Sequence, residues 1–254
     1  AEAKAEAPAA APAEAPAEAP SEAPVEPWSL DAVVELFATA LLQNGAKTPT
    51  HLSKLLDGYA TVFAKLRPAE EDAAHLFTKR IARCVMEFWR LSTQRLEITV
   101  DVLLQRGVLT RRAVVEHALA ERGPQGCDSL AVWNILNGVA RKSLEQSQTV
   151  RVELGLAKRL GKTDALETCR KELDIAVQES AELFTLMFTG LVRNHQDFED
   201  DDTLLRQVML QRILVIGRKY NAFIRPLIDA AESRIPGVAH NPDIAAIFHS
   251  LRGL

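Results

Sequence analysis

The chain has 254 residues, with 30 Lys and Arg against 34 Asp and Glu and a formal net charge of −4. Its first 27 residues hold twelve Ala, six Glu, six Pro and single Lys, Ser and Val, so they carry −5 and leave the other 227 near +1. That balance excludes a strongly basic nucleic-acid grip written in the totals, and the remaining length suits one large domain or two small ones.

Residues 1–27 read as a spacer. An AEAP repeat places Pro about every fourth residue from Pro8 to Pro24. Each Pro removes a backbone donor and biases the residue before it away from helix. No apolar side chain larger than Val is available for burial, so the segment is expected to stay extended and hydrated.

From Trp28 onward the period is helical. Ser29 is placed to cap a helix over about 30–43 that ends at Gly45, and Thr48 to cap the next, with Pro49 in its first turn. In that second helix Leu52, Leu55, Leu56, Tyr59, Val62, Phe63 and Leu66 form one apolar face, closed by Pro68. A third helix over about 70–91 carries Phe77, Ile81, Cys84, Val85, Phe88 and Trp89 on one side. Ser92 caps a fourth, which stops at Gly107, and Thr110 a fifth, which ends near Gly123 and Pro124. Asp128 caps a sixth that runs without a stop to Gly161, and Thr163 opens a seventh of similar length. The acidic run Glu199 to Asp202 marks a turn into an eighth, striped by Leu205, Met209, Ile213, Ile216, Tyr220, Phe223 and Leu227, with a kink or division expected at Pro226. Asn241 and Pro242 begin a short last helix holding Ile244, Ile247 and Phe248.

No segment reads as a strand. Short connections force neighbouring helices to pack antiparallel, which describes an all-α, HEAT- or ARM-like helical repeat solenoid over 28–254. The sixth and seventh helices differ from the rest. Trp133, Leu136, Ala140, Ser143, Ser147, Val150, Leu154 and Ala157 alternate at spacings of three and four, and Leu166, Cys169, Leu173, Ala176, Ser180, Leu183 and Met187 nearly do so. That is the seam of two helices at a shallow crossing angle. The other faces are charged, so residues about 143–180 are expected to project as an antiparallel coiled-coil hairpin with Gly161 at its tip. Val152 and Leu156 are apolar but off the seam.

The chemistry-bearing residues do not converge. Cys84, Cys127 and Cys169 are odd in number and far apart, which is neither a disulfide framework nor a zinc site and suits a reducing compartment. No stretch reaches 18 uncharged apolar residues, so no membrane span is expected. The first residue is Ala, no signal-peptide core follows, and the chain reads as a fragment or a processed form. His51, His75, His117, His195, His240 and His249 form no HExxH pair and are expected at the surface, at helix ends or against a backbone carbonyl. The run Phe198 to Asp202 lacks the Gly and distant Glu of a calcium loop and suits a helix start, with an acidic contact patch left open. Gly155, Gly161 and Gly190 follow no strand, no Ser lies in a GxSxG elbow, and Cys84 sits on an apolar stripe. No catalytic, cofactor-binding or metal residue is therefore assigned, and the chain is not expected to be an enzyme. The basic pairs Arg111-Arg112, Arg141-Lys142, Lys158-Arg159 and Arg218-Lys219 point apart on helices, and the aromatics lie on apolar stripes, which argues against direct stacking of bases. Trp89 and Trp133 read as core, and Trp28 as a staple near Val33 or Val34.

Four segments carry a family likeness: THLSKLLDGYATVFAKL at 50–66, VMEFWR at 85–90, VDVLLQRGVLTRRAVVEHAL at 100–119 and LAVWNILNGVARK at 130–142. In this order and spacing they resemble the third helical domain of the large subunit of the nuclear cap-binding complex, a domain of the type found in the middle of eukaryotic initiation factor 4G. The end, DAAESRIPGVAHNPDIAAIF at 229–248, resembles that family in layout more than in letters. The likeness covers about 28–250. This chain has Leu91-Ser92-Thr93 where the family usually shows Pro, His117 where a Trp often stands, and a shorter, less charged hairpin. The resemblance implies a non-catalytic scaffold in the nucleus, shuttling to the cytoplasm. It implies as partner a small RNA-recognition-motif subunit that holds the 5′ cap, with capped RNA contacted mainly through that subunit. It also implies support of splicing, export, decay surveillance and early translation. Two alternatives stand beside it: a helical-repeat scaffold docking an RNA helicase in translation initiation or nonsense-mediated decay, and an enzyme or small-molecule binder.

Overall fold

The computed structural model describes residues 28–45, 47–120, 126, 129–197, 203–234 and 241–253. In chain order the helices are α1 (Leu30–Gly45), α2 (Pro49–Gly58), α3 (Ala60–Leu66), α4 (Glu71–Phe88), α5 (Thr93–Gln105) and α6 (Arg111–Ala120). The long pair α7 (Leu130–Arg159) and α8 (Thr163–Asp197) follows, then α9 (Thr203–Lys219), α10 (Asn221–Ile224), α11 (Ile228–Ser233) and α12 (Pro242–Gly253). No strand occurs among the described residues, so the architecture is all-α, as the periodicity predicts.

The helices stack in two layers. α1, α4, α6 and α8 pack each against the next, while α2, α5 and α7 do the same behind them. The layers are joined by α1 on α2, α4 on α5 and α7 on α8. Each apolar stripe is thus covered by its neighbours in the stack, which is a helical-repeat solenoid of the HEAT-like kind. Val85, Val114, Ala118, Leu136, Met187 and Leu191 are fully buried along this continuous core. Burying a Val or Leu contributes about 1.5–3 kcal/mol relative to leaving it exposed.

Short polar side chains set the helix starts. Ser29 Oγ accepts the Ala32 N–H at 3.3 Å, and Thr48 Oγ1 accepts the His51 N–H at 3.1 Å. Thr110 Oγ1 accepts the Ala113 N–H, and Asn241 Oδ1 accepts the Ile244 N–H, both at 3.2 Å. Each satisfies a donor that the first turn leaves open. Gly107 (φ 68°) and Gly161 (φ 66°) take the left-handed conformation that ends α5 and α7.

Several expectations are corrected. Ser129, not Asp128, caps α7, its Oγ accepting the Val132 N–H at 3.1 Å. Ser92 stands at the start of α5 but makes no side-chain cap. The helix expected over about 49–66 divides at Tyr59, because the break lets Phe63 pack edge-on against Phe37 at 5.1 Å and Tyr59 against the same ring at 5.8 Å. Tyr59 is consequently exposed rather than part of a buried face. The eighth predicted helix divides at Pro226 as expected, in a 3-10 turn over Arg225–Leu227, and also earlier at Tyr220, where that ring packs against Phe184 at 5.2 Å. Trp28 is 62% exposed, so it does not staple α1. α8 is long and apolar enough to cross a membrane by composition, with a mean hydropathy of 1.2 over its best window. Here Phe184, Met187, Phe188, Leu191 and Val192 are buried in the solenoid core instead. The spacer 1–27, Gly123, Pro124, Cys127, Asp128, the run Phe198–Asp202 and His240 lie outside the described residues.

Candidate partner-binding surfaces

The ionisable groups serve chiefly to join helices. Glu116 of α6 accepts from His75 Nε2 of α4 at 2.7 Å and from Arg112 Nε at 2.8 Å, with Lys79 Nζ at 3.7 Å. Burial alone raises its carboxyl, but the hydrogen bonds from Arg112 and His75 outweigh that and hold it below the usual carboxylate range. Arg80 with Asp31 and Arg83 with Glu35 tie α4 to α1, and Lys142 with Asp101 ties α7 to α5.

Two histidines stand in the last turns of their helices, as expected, His117 in α6 and His195 in α8, but not at the surface. His117 and His195 are both buried. α6 is only ten residues long and is packed against α4, α7 and α8, which covers it on nearly every side. Burial, then Arg206, pushes the His195 imidazole below its ordinary pKa, and Asp243 acts in the opposite direction. His51 and His249 are exposed, as expected. Cys84 is buried and Cys169 half-buried, neither in a disulfide. Burial and then Glu35 push the Cys84 thiol up, which suits a core residue rather than a nucleophile.

One constellation is invisible to chain spacing because it spans two helices. Glu153 of α7 and Cys169 and Glu172 of α8 bring their ligand atoms within 4.8 Å of one another. Both carboxylates are exposed and neither is held by a hydrogen bond among the described residues, so the outer support that orients metal ligands is not built here.

Arg112, Arg141 and Lys142 are engaged by Glu116, Glu145 and Asp101. The two tryptophans expected in the core are half-buried, each with a guanidinium over its ring: Arg95 on Trp89 and Arg212 on Trp133, both at 5.2 Å.

The long hairpin offers a different surface. Its seam buries Ser143, Ser147, Leu154, Ala157, Ala176 and Ser180. Ser143 Oγ lies 2.8 Å from Ser180 Oγ, and Ser147 Oγ donates to the Ala176 carbonyl at 3.1 Å, so small residues bring the two backbones close. Opposite the seam, Val152, Leu156 and Leu160 are 64%, 50% and 66% exposed. Spaced by four, they make one apolar line among Arg151, Glu153, Lys158 and Arg159. A second surface is a groove of about 220 Å³ between the α1–α2 connection and the start of α5, floored partly by Trp89.

The family model described as MIF4G like matches residues 11–209. Curated relatives include nuclear cap-binding protein subunit 1 of Oryza sativa subsp. japonica, 28% identical over 154 residues, covering 56% of this chain and 16% of that protein. The human protein of that name is 22% identical over 250 residues, covering 87% of this chain and 31% of that protein. The Mus musculus protein is 26% identical over 125 residues, 49% of this chain and 15% of the relative. The chain therefore spans a third or less of the length of these relatives. With most of its solenoid inside the matched range, the chain belongs to the MIF4G like family.

Proposed function

We propose that this chain is a non-catalytic scaffold segment of a nuclear cap-binding complex large subunit. Residues 28–254 act as its third helical domain, and the hairpin at about 143–180 projects as a coiled coil. What carries the reading is the likeness to nuclear cap-binding protein subunit 1, which in the human case extends over 87% of the chain. The partner is a small RNA-recognition-motif subunit that holds the methylated cap of mRNA. The scaffold acts by ordering that subunit's binding loops. If only a fraction of free subunit is competent, apparent affinity is reduced by that fraction, and a partner that binds the competent form removes the reduction without touching the ligand. The assembly works in the nucleus, with passage to the cytoplasm, in splicing, export and mRNA surveillance.

The test is co-purification of the parent protein with its candidate partners. The reading expects a small RNA-recognition-motif subunit to co-elute in equal amounts. Retention of an RNA helicase with no such subunit would favour instead a scaffold of translation initiation or nonsense-mediated decay.

A further inference from the structure

We propose that the groove beside Trp89 is a docking site for the chain's own Ala/Pro/Glu segment, residues 1–27, bound as an extended acidic strand. The groove is lined by apolar Leu42, Pro49, Trp89 and Ile98 and by two cations, Lys47 and Arg95. No acidic residue lines it.

Two features of this groove ask for one ligand chemistry. Lys47 and Arg95 make no ion pair among the described residues, whereas nearby Arg80, Arg83 and Arg106 are paired with Asp31, Glu35 and Asp57. The Arg95 guanidinium stacks 5.2 Å above the Trp89 ring and keeps its outer donors free. An aromatic-floored groove with a cationic rim fits a polyproline-type peptide that supplies proline rings and carboxylates.

Residues 1–27 have that chemistry. They hold Pro12, Pro16 and Pro20 interleaved with Glu14, Glu18 and Glu22, and they carry −5 against the two rim cations. Prolines at this spacing remove backbone donors and disfavour helix, the sequence pattern of peptides that dock as polyproline strands. Reach is sufficient. The segment joins α1 at Trp28, and the groove sits at the far end of that 16-residue helix, about 24 Å away at 1.5 Å per residue. An extended polyproline strand covers this in about eight residues at 3.1 Å each. The stretch from Glu14 to Pro20 therefore arrives with residues to spare. Between its ends α1 exposes Leu36 and Ala40, apolar surface that a strand of Ala and Pro suits. Tethering makes the segment a built-in competitor for any outside peptide of the same chemistry.

The experiment places a photo-crosslinking benzoyl-phenylalanine at Ala17 in the full chain, mixed with an isotopically heavy copy. The expected products are crosslinks within one copy, to residues 42–52 or 89–99. Reversing Glu14, Glu18 and Glu22 to Lys should lower their yield roughly fivefold, the scale of a few exposed ion pairs. These changes lie outside the folded helices, so they leave the solenoid intact. The Arg95→Glu change combined with the reversed segment should restore part of the yield. In a proton–nitrogen spectrum the Trp89 indole signal should move when the segment is reversed. Crosslinks scattered over the surface, formed between copies, or indifferent to charge reversal would overturn the proposal, and so would a Trp89 signal that does not move.

Discussion

His195 lies in the last turn of α8, a helix packed against α9, with Arg206 and Asp243 as its charged neighbours. Neither ring nitrogen has a hydrogen-bond partner among the described residues. The folded state resists protonating this ring more than the unfolded chain does. Stability is therefore full above the ordinary histidine value, about 6.5, and declines as pH falls below it toward the depressed folded value. We expect the urea midpoint to drop between about pH 7 and pH 5, with His195→Leu flattening that drop. An equal drop in the variant would show that another group is responsible. Glu116 acts in a lower window, since its hydrogen bonds with Arg112 and His75 hold its carboxyl down and their contribution is lost only as pH falls through that depressed value. Neither role is legible in the sequence. A single His on an apolar stripe looks the same whether the next helix covers it or solvent does, and the Glu116 network joins residues 41 positions apart.

Among the elements, the seam of α7 and α8 is the most legible. Its threes and fours predict the buried Ser143, Ser147, Ala176 and Ser180, because the period of a helix and the side it buries are one signal. The breaks at Tyr59 and Tyr220 are not legible, since each depends on an aromatic ring from a distant helix. The seam makes a graded prediction. Ser180→Leu overfills a closely packed contact and should cost about 1–3 kcal/mol. Ser180→Ala removes only hydrogen bonds and should cost about 0.5–1.5 kcal/mol. Gly155, inside α7 near its C-terminal end, has open space where a Cβ would stand, so Gly155→Ala should stabilise by about 0.5–1 kcal/mol. By contrast Gly190 faces Leu119 where α8 meets α6, and Gly190→Leu should destabilise by about 1–3 kcal/mol. Urea titrations of the four variants rank these effects, and a stabilising Ser180→Leu would refute the close seam.

At the scale of the whole molecule, the stack leaves its outer faces free while every inner stripe is used. Composition and periodicity predict the all-α class, and the two-layer order follows from short connections that force antiparallel neighbours. What the sequence does not display is which outer face meets a partner. Exposed helix surfaces carry similar charged residues, and the groove beside Trp89 is assembled from α1, the α1–α2 connection, α4 and α5. The most direct measurement is retention of the parent protein on an immobilised cap analogue, with and without the small RNA-recognition-motif subunit. The scaffold account predicts retention only when that subunit is present, together with tighter cap binding by the pair than by the subunit alone. Retention of the parent protein by itself, or a subunit whose cap affinity the scaffold leaves unchanged, would contradict it.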